Sequence, residues 1–142
     1  MIQRKKPTRK RSKTTKAKLI AKLDAVFSEF IRLRDSDTNG NCKCCTCSTV
    51  KPWREMHAGH YVGRGAMNTR FEEQNVHAQC CGCNTFHEGR KPEYTIFLQE
   101  WYGESIIGKL VSAGHITKKW APIELEALIA HYKGEVARMK NK

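Results

Sequence analysis

Cys44-Cys-Thr-Cys47 and Cys80-Cys-Gly-Cys83 decide how this chain is read. Two thiolates spaced by two residues converge on one ion from a tight turn, and two such knuckles complete a tetrahedral four-sulfur site of the kind zinc takes in structural centres. Cys44, Cys47, Cys80 and Cys83 are the expected ligands. Cys42 and Cys45 also satisfy the spacing and remain an alternative first pair; the small polar Ser48-Thr49 after Cys47 favours Cys44 and Cys47. The chain holds seven cysteines. An odd number without a secretory signal argues against a disulfide framework and for a reducing compartment. A closed four-thiolate site has no open position for substrate, so it implies a scaffold and says nothing yet of activity.

Outward from the knuckles, the 142 residues suit one domain. No apolar run approaches the roughly 20 residues a membrane-spanning helix needs. Met1-Ile-Gln-Arg-Lys-Lys6 continues into more basic residues rather than an apolar stretch, unlike a signal peptide. The net charge is +12, from 26 Lys and Arg against 14 Asp and Glu, and it is concentrated at the start. Ten basic residues precede the first acid, Asp24, and Arg9, Lys10, Arg11 and Lys13 are the densest part of that run. Such a block repels itself until a polyanion neutralises it, and nucleic acid is the commonest partner of that kind. A membrane surface fits less well, because the run has no apolar face to insert.

Residues 1–15 therefore read as a disordered basic arm and residues 16–142 as a single domain. Leu19, Leu23, Val26, Phe27, Phe30 and Leu33 recur at helical spacing over 16–35, with Thr14 or Thr15 as cap. Asp35-Ser-Asp-Thr-Asn-Gly-Asn41 ends that helix. Residues 42–92 read as knuckle, hairpin, knuckle and short helix, with Glu55–Val62 and Gln74–Gln79 as strands and Cys83–Glu88 as the helix. Residues 93–140 are expected to be helical. Tyr94, Phe97, Leu98 and Trp101 share one face; Ile106, Ile107, Leu110 and Val111 begin a second helix; Pro122 opens a last one carrying Leu125, Leu128, Ile129, Tyr132 and Val136.

The segment between the knuckles is longer than a zinc ribbon needs, and it carries His57, His60, Asn75 and His77, followed by Asn84 and His87. A nuclease of the ββα-metal type needs a comparable set: a strand histidine that takes a proton from water, a polar residue that orients it, and a helix that offers ligands to one divalent cation. His57 and His77 read more plainly as strand residues making ordinary hydrogen bonds.

Ala58-Gly-His-Tyr61, Arg70-Phe-Glu-Glu-Gln-Asn-Val-His-Ala-Gln-Cys80 and Cys83-Asn84 resemble the NinG/Rap family of lambdoid phage recombination endonucleases, and more loosely the HNH or His-Me finger superfamily. The resemblance is sharp over about 44–89. It implies an α+β fold with a zinc-clamped ββα-metal core framed by N- and C-terminal helices. It implies a magnesium- or manganese-dependent endonuclease that cuts branched DNA, including Holliday junctions and D-loops, in the cytoplasm of the infected bacterium. On that pattern His60 is the general base, Asn75 holds its Nδ1–H, and Asn84 is the last ligand of the catalytic cation. His87 and Glu88, three and four residues on along a helix, are the further candidates. Gly59 departs from the superfamily pattern, which has an acidic or histidine ligand directly before the base.

Arg64, Arg70, Arg90 and Lys91 flank this segment and are expected to meet phosphates, which position a duplex without reading its sequence. Symmetric cutting of a junction would favour a two-fold homodimer. The rival readings are a non-catalytic zinc-stabilised DNA-binding protein, which leaves His60, Asn75 and Asn84 unexplained in combination, and RNA as the substrate. Deleting residues 1–15 should weaken DNA binding most at low salt, where screening is least, and should leave turnover on bound DNA unchanged; filter binding across a salt series checks this.

Overall fold

The structure is a computed structural model, and it describes residues 14–142. Arg9, Lys10, Arg11 and Lys13 lie outside the described residues. Helix α1 spans Thr15–Arg34, so residues 14 and 15 belong to the helix and its cap rather than to an arm; the Thr14 hydroxyl accepts from the Ala17 N–H at 3.2 Å. Two short antiparallel hairpins follow, β1 (Asn41–Lys43) with β2 (Val50–Pro52) and β3 (His57–His60) with β4 (Val76–Gln79). Helices α2 (Lys91–Tyr102), α3 (Ile106–Gly114) and α4 (Pro122–Lys140) complete the α+β chain. Among the described residues no helix is long and apolar enough to cross a membrane.

Hairpin β3–β4 is the centre of the molecule, and helices cover both its faces. The register pairs His57 with Gln79, Ala58 with Ala78, Gly59 with His77 and His60 with Val76. Side chains alternate across a strand, so Ala58 and Val76 turn toward α1 and α4. There they join a core of Leu23, Phe27, Phe30, Ile31, Phe71, Leu125, Ile129 and Tyr132. The Phe27 ring meets Phe71 edge-on at 5.7 Å and Tyr132 at 5.0 Å, geometries that aromatic quadrupoles favour. On the other face Tyr94 and Leu98 of α2 and Ile106 and Leu110 of α3 pack with Tyr61. Trp101, expected on the buried face of α2, is 71% exposed and stacks on Phe97.

His77 sits in the second face, and its hydrogen bonds fix its tautomer. The Tyr94 hydroxyl donates to the Gly59 carbonyl at 2.6 Å, so it accepts from His77 Nδ1–H at 3.2 Å. His77 Nε2 then accepts the Tyr102 hydroxyl at 2.8 Å. This chain of bonds ties α2 to the peptide that joins Gly59 to His60. Gly59 itself has no room for a side chain: an added Cβ would meet Gln79 Oε1, and the Gln79 Cδ would lie 2.8 Å away.

Two elements differ from the sequence reading. Hairpin β1–β2 was not expected there, because each strand is three residues long and carries no alternating pattern. The predicted helix Cys83–Glu88 is one wide turn, Gly82–Phe86. It stops because Glu88, Gly89 and Arg90 all take positive φ, at 52°, 79° and 47°. Pro92 sits in the first turn of α2.

Burial draws the His77 imidazole down to about 4, with the Arg34 charge adding to the effect and Asp35 opposing it. A histidine buried neutral makes the unfolded chain bind more protons below the ordinary value of about 6.5, so its contribution to stability is lost as pH falls from there toward 4. Denaturant titrations at pH 7 and pH 4 should show the parent losing about 3 kcal/mol more than His77→Gln.

Candidate metal clamp and histidine site

The first knuckle lies at the tip of β1–β2. Cys44 N–H bonds the Thr49 carbonyl at 2.8 Å, Ser48 N–H bonds the Cys44 carbonyl at 3.1 Å, and Ser48 takes φ 65° to close the turn. The second knuckle follows β4 directly, where the Cys83 N–H points at Cys80 Sγ at 3.4 Å and the Asn84 N–H at the Cys80 carbonyl at 3.0 Å. The sulfurs of Cys44, Cys47, Cys80 and Cys83 all lie within 4.8 Å of one another. That donor set fits a tetrahedral zinc, whose four Zn–S bonds of about 2.3 Å place sulfurs at such separations.

Two of these thiols are shifted in opposite directions by their surroundings. Burial pushes Cys80 up to about 12, and hydrogen bonding with neighbouring sulfurs adds to it. Desolvation also opposes ionisation of Cys47, yet hydrogen bonding with the Thr49 hydroxyl and backbone draws that rim thiol down to about 6. Arg90, expected at phosphate, directs its Nε–H to Cys83 Sγ at 3.1 Å and so supports the clamp.

The alternative first pair is excluded by where its sulfurs go. Cys42 is buried and donates to the Arg32 carbonyl at 3.0 Å, and burial, with the Asp35 charge behind it, raises its thiol to about 11. Cys45 is half-buried against the α2–α3 cluster, where desolvation raises its thiol still further.

His60 ends β3 at the opposite end of the hairpin from the clamp. Its Nε2–H donates to the Arg70 carbonyl at 2.8 Å, which fixes the neutral tautomer with Nδ1 as the basic nitrogen. Among the described residues Nδ1 has no hydrogen-bond partner. Burial, then the charges of Arg64 and Arg70, lower the ring below the ordinary histidine value; the Arg70 carbonyl and Asp24 act in the other direction. A cavity of about 400 Å³ separates His60 and Ala58 from Asp24, Ser28 and their neighbours on α1, with Arg64 at its edge.

Asn75 does not touch His60. It is fully buried and staples the loop between β3 and β4: Oδ1 accepts the Val62 N–H at 2.8 Å, and Nδ2 donates to the Val62 and Thr69 carbonyls, both at 3.0 Å. Its effect on His60 runs through that loop, which carries the Arg70 carbonyl.

Asn84 does not reach His60 either. Its Nδ2 donates to His57 Nδ1 at 3.1 Å. His57 and His60 lie three residues apart, roughly 10 Å along the strand and on opposite faces. His87 and Glu88 are exposed and leave the Asn84 side because the helix that would align them is absent. Among the described residues the four cysteines are the only group of three or more His, Cys, Asp or Glu side chains able to hold a metal. Among the described residues no second group of that kind lies beside His60.

The loop arginines divide. Arg70 forks onto Asp24, with a side chain 15% exposed, so it is a buried ion pair rather than a free phosphate contact. Arg64 meets Asp24 at 2.9 Å but its side chain is 60% exposed. Lys91 lies over the Tyr61 ring at 4.0 Å. Sequence reasoning missed Asp24; its one signal was that it is the first acid after ten basic residues.

Fold and site define a small α+β protein in which a four-cysteine clamp closes a histidine-bearing hairpin between two helical layers. The chain belongs to the family described as the bacteriophage lambda NinG protein, which matches residues 2–142. It is 29% identical over 123 residues to protein ninG of Salmonella phage P22, covering 86% of this chain and 58% of that protein. The ninG protein of Escherichia phage lambda is 29% identical over 123 residues, with 86% and 57% covered. The same protein of Enterobacteria phage H19B is 28% identical, with 86% and 58% covered. The matched region is thus less than two thirds of the relatives' length. No solved structure matches the chain.

The clamp predicts a clean division among the cysteines. Cys44→Ser and Cys83→Ser should each lose bound zinc and lower Tm by roughly 10 °C or more, whereas Cys42→Ser and Cys45→Ser should keep one zinc per chain. Metal analysis with thermal melts checks this.

Proposed function

We propose that this chain is an endonuclease acting on branched DNA during phage recombination, in the cytoplasm of the infected host, with His60 as general base. The observation that carries the reading is the state of that imidazole. Burial favours its neutral form, its Nε2–H is committed to the Arg70 carbonyl, Nδ1 is left as the acceptor, and the residue lines a cavity edged by Arg64. That is the condition a base needs to take a proton from water attacking phosphorus. Asn75 supports it by holding the loop, and the zinc-type clamp holds the hairpin.

The net charge of +12 favours a polyanion, so recognition in this reading rests on shape and charge. The basic residues 9–13 would add affinity, and a two-fold dimer would present two such sites to a junction. The requirement for the cation implied by the family resemblance, magnesium or manganese, is read in the same assay.

One observation favours a second reading. His60 and Asn84 stand at opposite ends of β3, and a zinc-stabilised DNA-binding protein without catalysis would not need them together.

Labelled four-way junction, linear duplex and single strand, each with and without magnesium or manganese, separate the two. The endonuclease reading expects cation-dependent cutting of the junction. His60→Ala should lower that cutting by about 100-fold or more while leaving zinc content and junction binding intact. Because the ring is held below the ordinary histidine value, the rate should stay level through neutral pH and fall only below about 6.5. Binding without cutting under every condition would favour the second reading.

A further inference from the structure

Asp24 lies midway along α1, far in sequence from every knuckle and strand, yet three groups of the β3–β4 loop converge on it. Arg70 Nε donates to Oδ1 at 2.9 Å and Arg70 Nη2 donates to Oδ2, a two-pronged fork. Arg64 Nη2 donates to the same Oδ2 at 2.9 Å. The free Arg70 Nη1 turns back to the Arg64 carbonyl at 3.0 Å. The carbonyl of Arg70 is the one that accepts His60 Nε2–H at 2.8 Å. One carboxylate thus fixes residue 70 through its side chain, and residue 70 fixes the imidazole through its backbone.

The two arginines are not equivalent. A bidentate guanidinium–carboxylate pair is geometrically complete on its own, and Arg70, with 15% of its side chain exposed, already neutralises Asp24. Arg64 adds a second cation to a spent charge with 60% of its side chain in solvent. Exposed pairs of that kind contribute little, because solvent screens them and the side chain loses freedom in making them. The cavity bounded by Asp24, Ser28, Ala58, His60 and Arg64 is where an entering group would meet both the imidazole and this weakly held cation.

We propose that Asp24 is a positioning residue for His60, acting through Arg70, and that Arg64 is the releasable member of the trio, which leaves Asp24 for a phosphodiester oxygen when nucleic acid enters the cavity. This rests on the nuclease reading for its substrate, but the positioning can be measured without turnover. Removing the Asp24 charge leaves two adjacent guanidinium groups without a counterion, so the loop loses its anchor and the imidazole its acceptor.

Asp24→Asn keeps the shape and removes the charge. Long-range proton–nitrogen spectra at pH 7 should show His60 as a single Nε2–H tautomer in the parent and as a mixture in Asp24→Asn. Arg70→Lys, which cannot form the fork, should give the same mixture. Junction cutting by Asp24→Asn should fall at least about tenfold in turnover. Junction affinity should hold or tighten, because a negative charge beside the phosphate is gone. Misfolding would instead weaken binding and release zinc. Arg64→Ala should keep the parent tautomer and weaken junction binding. A parent-like tautomer in both Asp24→Asn and Arg70→Lys, or unweakened binding by Arg64→Ala, overturns the proposal. If the parent cuts no DNA, the nuclease reading fails while the tautomer comparison still decides the role of Asp24.

Discussion

Convergence of four sulfurs on one point is the constraint on which the rest of this structure depends. A two-stranded hairpin is marginal in water on its own, and the described residues form two, of three and four residues per strand. The clamp joins the tip of the first to the end of the second, because Cys44 and Cys47 sit between β1 and β2 and Cys80 follows β4. Cys45 N–H reaches the Ala78 carbonyl at 3.1 Å, and Gln79 Nε2 bridges Thr46 and Gly89. The bonds from Cys45 to Ala78 and from Gln79 to Thr46 need the knuckles already together. Buried Gln79 Oε1 is left without a partner, a defect concentrated beside Gly59, where the superfamily pattern would put a ligand side chain.

The free edge of β4 is closed by the end of α1 rather than by a third strand. Asp35 accepts the Ala78 N–H at 2.8 Å, and Arg34 donates to the Val76 and Glu73 carbonyls at 2.7 and 2.9 Å. An exposed strand edge invites pairing with another chain; here a bound ion pair caps it. The C-terminal end of α1 thereby sets the strand leading into the second knuckle, while its middle, at Asp24, sets the loop leading out of β3. The framing helix acts on both ends of the hairpin.

Much of this was legible locally. Leu23, Phe27 and Phe30 announced the buried stripe of α1, Leu125, Ile129 and Tyr132 that of α4, and the CxxC spacing the clamp, because period and spacing are written in neighbouring residues. What was not legible depends on partners distant in sequence. Asn75 looked like a partner for His60, but the Val62 N–H claimed its side-chain oxygen, and the carbonyls of Val62 and Thr69 its amide N–H groups. Arg70 looked free for phosphate, but Asp24, forty-six residues earlier, took it. The turn Gly82–Phe86 matched a helix in composition, and only the positive φ of Glu88, Gly89 and Arg90 showed that it ends before His87 could align with Asn84.

That last point bears on what the fold can do. A histidine is useful as a base when its proton sits on the nitrogen facing away from the reaction and the ring stays neutral. In His60 the Arg70 carbonyl holds the ring proton on Nε2, and burial favours the neutral form. Gly59 next to it is kept bare by Gln79, and its carbonyl is held by the Tyr94 hydroxyl, which His77 and Tyr102 hold in turn. The peptide before the imidazole is therefore fixed from the α2 side and the ring from the α1 side. Residue 59 has no room for a side chain, while the ring beside it is oriented by the Arg70 carbonyl. The strand thus holds one imidazole in a fixed orientation, and Asp24 and Arg64 are the charged side chains that line the cavity beside it.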